Sequence, residues 1–144
     1  MKRIGKNAPA RLVFDTKAGL ATILTNLKRK LPEARMLFEE AVDLAGREAT
    51  IPKTQLAATL AHFAWIPMYS GNSREAEALW LKALATGRQE DPGGFWEADA
   101  LYGLMSLHGE GGDYAAAQEF ARQGFVLHVQ ARLPANCFGR DTWL

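Results

Sequence analysis

The chain has 144 residues, 48% of them hydrophobic and 23% charged, with a formal net charge of +1. That composition suits one ordinary globular domain and excludes a disordered or fibrous chain. The near-neutral total hides an asymmetry. Residues 1–35 hold nine Lys and Arg against Asp15 and Glu33, a balance of +7, whereas the rest hold eight basic and fourteen acidic residues, a balance of −6.

Residues 1–14 read as an irregular basic arm, because Gly5, Asn7 and Pro9 break a helix there. Arg11-Leu12-Val13-Phe14 adds a short apolar patch fit to dock on a neighbour. Asp15 or Thr16 is a suitable N-cap for a first helix over 17–30. In that helix Leu20, Ile23, Leu24 and Leu27 fall on one face, and Lys28-Arg29-Lys30 sits in the last turn, where cations suit the helix dipole. A second helix opens near Pro32 and ends over 46–49. A third runs from Pro52 or Thr54 to Tyr69, with Pro67 expected to kink or shorten it. After the turn Gly71-Asn72-Ser73 a fourth helix runs to about Gly87, and a fifth covers 96–107. The turn Gly109-Glu110-Gly111-Gly112 precedes a sixth over 113–132, stopped by Pro134. No alternating strand pattern of useful length occurs, so the fold class is all-α.

The second, fourth and sixth helices share a register. Ala34, Ala76 and Ala117 are spaced 42 and 41 apart, and Ala41, Ala83 and Gly124 keep that spacing. Phe38 and Trp80 correspond between them, with Ala121 at that place in the third copy. Small residues seven apart lie on one helix face two turns apart and let a neighbouring backbone approach.

This pattern resembles the tetratricopeptide repeat family, most closely at Gly112-Asp113-Tyr114-Ala115-Ala116-Ala117 and also at Gly71-Asn72-Ser73-Arg74-Glu75-Ala76. The 41–42 residue period is similar to the long repeats of kinesin light chains and their bacterial relatives. The resemblance covers residues 17–133. It implies a right-handed stack of three antiparallel helical hairpins over 15–133, between the arm and a tail at 134–144, and a role in binding protein or peptide partners.

The resemblance also implies that the first helix of each hairpin lines a groove. The first repeat then presents Thr16, Gly19, Ile23 and Asn26. The second presents Ala58, Ala61, Trp65, Met68 and Tyr69, and the third Asp99, Tyr102, Ser106 and Glu110. Trp65, Met68, Tyr69, Asp99, Tyr102 and Ser106 are the expected partner-binding residues. Packing of Trp65 and Met68 in the core beneath Pro67 is the competing reading. The sixth helix carries Phe120, Phe125, Val126 and Leu127, and the tail Cys137, Phe138, Trp143 and Leu144. Either the tail caps that end or a second copy covers it, and association as a dimer is the favoured expectation.

Nothing points to catalysis, a metal or a cofactor. His62, His108 and His128 lack ligand spacing, and none has a carboxylate partner in register. Glu39 and Glu40 point to different sides of a helix, and the glycine-rich 109–112 turn is no phosphate loop, since no strand precedes it. Nucleic acid is not expected, because only Phe14 interleaves with the basic residues. No apolar run approaches the ~20 residues of a membrane span, and none follows the basic start as a secretory signal would need. A single cysteine, Cys137, forms no internal disulfide, which suits a reducing, cytoplasmic compartment. The rival to a groove-binding adaptor is a self-associating assembly or regulatory subunit that docks by its hairpin ends.

Overall fold

A computed structural model describes residues 9–92 and 94–130, and among these every regular element is a helix. The helices are α1 (Ala10–Asn26), α2 (Leu31–Arg47), α3 (Lys53–Phe63), the short α4 (Trp65–Tyr69), α5 (Ser73–Arg88), α6 (Phe95–Glu110) and α7 (Tyr114–Gln130). Chain neighbours pack on one another, α1 on α2, α3 on α5 and α6 on α7. The helix α3 also meets α1, α2 and α6, and α5 meets α6. No helix among the described residues is long and apolar enough to cross a membrane.

The first helix starts earlier than the sequence suggests. Pro9 holds the N-cap position, so residues 10–14 are helix rather than arm. The Arg11–Phe14 patch explains the gain, because Phe14 is buried with Ala41 and Ile51. Asp15 and Thr16 are therefore interior positions. Asp15 lies 3.8 Å from Arg11, and the Thr16 hydroxyl donates back to the Leu12 carbonyl. The arm at 1–8 and the tail at 134–144, including Cys137, fall outside the described residues.

The other boundaries follow local chemistry. In α2 Pro32 sits in the first turn, where its missing donor is harmless. Asn72 caps α5 by accepting from the Glu75 amide, and Asp113 accepts likewise from the Ala116 amide. Pro67 has no N–H for the Phe63 carbonyl four residues back, so α3 ends at Phe63 and α4 restarts after Ala64. Bonds from Ala64 N to Leu60 O and from Met68 N to Ala64 O carry the backbone across this break.

The repeated register is the packing register in its first two copies. Ala34, Phe38 and Ala41, like Ala76, Trp80 and Ala83, are fully buried. Phe38 stacks on Phe63 with ring centroids 5.3 Å apart. Trp80 lies against Gly103 of α6, where an added Cβ would stand 2.1 Å from the indole. Two turns along, the same interface is reciprocal: Trp96 of α6 covers Gly87 of α5, where a Cβ would stand at 2.5 Å. In the third copy Ala117, Ala121 and Gly124 are only half-buried, because α7 has α6 as its main neighbour.

The outward side of α7 shows Gln118, Glu119 and Arg122, while Phe120, Phe125 and Leu127 are half-buried. Val126, also expected at that end, is 37% exposed, and Tyr114 at the start of α7 is 74% exposed. On α1 the core face is Phe14, Ala21 and Thr25, with the Thr25 hydroxyl donating to the Ala21 carbonyl. Leu20, Ile23 and Leu27, three of the four residues on the apolar face read from spacing, are exposed.

Candidate functional site

The exposed apolar stripe of α1 ends beside an aromatic track formed by α4 and α6. Ile23 and Leu27 are 57% and 62% exposed. In the turn after Leu27, the Lys28 ammonium stands 4.7 Å from the centre of the Tyr69 ring, so the end of α1 adjoins the end of α4. Tyr69 stacks on Trp65 at 5.9 Å, and Trp65 meets Tyr102 of α6 at 6.1 Å. Tyr69 and Tyr102 are 43% and 59% exposed, whereas Trp65 is half-buried. Trp65 also packs edge-on against the fully buried Trp80 at 5.0 Å, and the Trp80 indole donates to the Ala61 carbonyl at 3.0 Å. Trp65 thus packs on the core by one edge, as the competing reading holds, and is half-exposed beside Tyr69 and Tyr102 by the other.

The remaining expected site residues divide. Asp99 and Tyr102 lie on the exposed face of α6, and the half-buried Ser106 follows one turn on, its hydroxyl spent on the Tyr102 carbonyl. Burial pushes the Asp99 carboxyl above its ordinary range, partly offset by His62. The residue is nevertheless exposed, so solvent keeps the effect small. Met68, beside Tyr69 in α4, helps line a pocket of about 350 Å³ with Ser73, Leu107, His108, Glu110 and Asp113. Thr16, Gly19 and Asn26 are exposed and Ala58 half-buried, but Ala61 is buried, because its position faces Trp80 rather than the track.

His108 departs from the expectation that no histidine has a carboxylate partner. Its Nε2 is 3.5 Å from Glu77 and its Nδ1 3.7 Å from Asp113, and its ring stacks on Phe120 at 5.5 Å. Glu77 comes from α5 and Asp113 from the following turn, so helix packing rather than sequence spacing brings them together. Among the described residues no group of three or more His, Cys, Asp or Glu is arranged to hold a metal ion.

Sequence reasoning missed Leu20 and Leu27 as surface residues and the pocket beside Met68. A usable signal existed for the first. Ile23 was placed in the groove by repeat register, and Leu20 and Leu27 share its face. No protein-family model, curated protein or solved structure matches the chain.

Proposed function

We propose that the six long helices form three stacked antiparallel hairpins of tetratricopeptide type, α1–α2, α3/α4–α5 and α6–α7. In this reading the molecule is a non-catalytic, cofactor-free interaction module of the cytoplasm. Its groove, lined by the first helix of each hairpin, takes a segment of a protein partner. The hairpin reading draws on the pairing of chain neighbours and on the contacts of α3 with both α1 and α6, which run first helix to first helix.

The observation that carries the binding role is the exposed pair Tyr69 and Tyr102, joined through Trp65, with Ile23 and Leu27 exposed on α1 and Lys28 of the following turn set against Tyr69. Single exposed apolar residues are normal on a surface, whereas a contiguous run with aromatic anchors marks an interface. Tyr102→Ala is the clean test, since Tyr102 is exposed while Trp65→Ala also disturbs Trp80. Peptides selected from a displayed library on the intact chain should bind Tyr102→Ala more weakly by over about 1 kcal/mol, with helicity unchanged. Unaltered binding places the partner elsewhere.

A further inference from the structure

The turn-side half of the track is electrically bipolar, and both ends adjoin α4. At one end is the α1–α2 turn, with Lys28, Arg29 and Lys30, all exposed. Arg29 and Lys30 make no ion pair among the described residues, and Lys28 reaches only the Tyr69 ring. At the other end is the pocket beside Met68, with Glu110 and Asp113 at its wall and apolar surface from Met68 and Leu107. Glu110 also makes no ion pair among the described residues. Between them lie Tyr69 and Met68, consecutive residues of α4.

The sequence around each end sharpens the contrast. No Lys or Arg occurs between Arg88 and Arg122, a stretch with seven Asp and Glu. The three turns also differ in kind. The later two place glycine in the left-handed region, Gly71 at φ 82° and Gly112 at φ 86°, but the first places Lys28 at 51° and Lys30 at 50°. An L-residue with a Cβ is held there at a cost of about 1–2 kcal/mol. Cations thus occupy positions that local backbone preference alone would give to Gly or Asn.

We propose that the groove binds a bipolar segment of a protein partner, laid across α4 with acidic residues against Lys28, Arg29 and Lys30, apolar side chains on Tyr69 and Met68, and a Lys or Arg side chain in the Glu110/Asp113 pocket. The pocket suits a long cationic side chain, since its apolar wall accepts the methylene stem while carboxylates meet the head. Opposite charges at the two ends fix the direction of the segment and reject uniformly charged ones, because either uniform sign meets repulsion at one end. The inference rests on the groove reading and adds to it the polarity of the occupant.

The test selects twelve-residue peptides from a random displayed library on the intact chain, and separately on the variant Lys28→Asn/Arg29→Gln/Lys30→Asn. Asparagine tolerates the left-handed backbone, and circular dichroism checks that the variant folds. The wild type should enrich peptides with Asp or Glu at one end, an apolar centre and Lys or Arg at the other. The variant should lose the acidic preference alone and bind the wild-type peptides at least tenfold more weakly, and Glu110→Gln should weaken them in the same way. Enrichment without charge order, charge variants that bind the peptides as tightly as the wild type, or no enrichment at all overturns the proposal. Binding that resists the charge variants yet is lost in Tyr69→Ala and Tyr102→Ala leaves the groove reading standing and removes only the polarity. Binding that survives all of these removes both.

Discussion

Replacing Gly103 by Ala should destabilise the protein, although in an exposed helix the same change stabilises. The Cβ would lie 2.1 Å from Cε2, 2.4 Å from Cζ2 and 2.5 Å from Nε1 of Trp80. Carbon atoms in contact sit about 3.5–4.0 Å apart, so the indole or the helix must retreat by more than about an ångström. The indole has little room to do so. It is fully buried, its Nε1 is bonded to the Ala61 carbonyl at 3.0 Å, and Trp65 abuts it edge-on. Overpacking of this kind costs about 1–3 kcal/mol, and a weakened buried hydrogen bond adds about 1 kcal/mol. The higher helix propensity of Ala returns about 1 kcal/mol. The net is a loss of about 2 kcal/mol, or about 6–8 °C in Tm for a chain of this size. Thermal and guanidinium unfolding followed by far-UV circular dichroism would measure it. The penalty should shrink in a Trp80→Phe background, where the smaller ring leaves space. A Gly103→Ala Tm equal to or above wild type would show that Trp80 does not fill that notch.

Gly19→Ala is the matching control: Gly19 is exposed in mid-helix with nothing within 4 Å of an added Cβ, so unfolding experiments should show a gain of about 0.5–1 kcal/mol. Ala83→Leu should lower stability by about 1–3 kcal/mol, because Ala83 is fully buried in the main core; an unchanged Tm would refute close packing there. For Asp99 burial raises the folded-state pKa, with His62 opposing. The folded state thus prefers the protonated form, and the preference is lost as pH rises from the unfolded value, about 3.9, through the raised one. Asp99→Asn should therefore raise Tm at pH 7 and make no difference at pH 3. The gain should stay under about 1 kcal/mol, since the residue is largely solvent-exposed, and equal gains at both pH values would rule out the burial account.

The helices themselves were legible because their signals are local. Asn72 and Asp113 each cap a helix by accepting from an amide three residues on, Gly71 and Gly112 supply left-handed turns, and the Ala34/Ala76 and Ala41/Ala83 register marks the buried seams. The reciprocal notches were written too, as Trp80 and Gly87 seven apart on α5 and Trp96 and Gly103 seven apart on α6. Pairing each tryptophan with the glycine of the other helix, however, needs the two axes placed side by side.

The first helix shows most clearly what local pattern cannot carry. Leu20, Ile23, Leu24 and Leu27 make an apolar face by spacing, but spacing does not say whether a face turns inward. Phe14, Ala21 and Thr25 occupy the seam against the neighbouring helices, where small side chains let backbones approach closely, and this rotates Ile23 and Leu27 outward. His108 met Glu77 and Asp113 for the same reason, through packing across elements. The sequence by itself determined which segments coil, where they turn and which residues are small enough for close contact. Only the tertiary structure decided which apolar stripe is spent on the core and which stays exposed, because that choice belongs to the relative rotation of packed helices and to no single one of them.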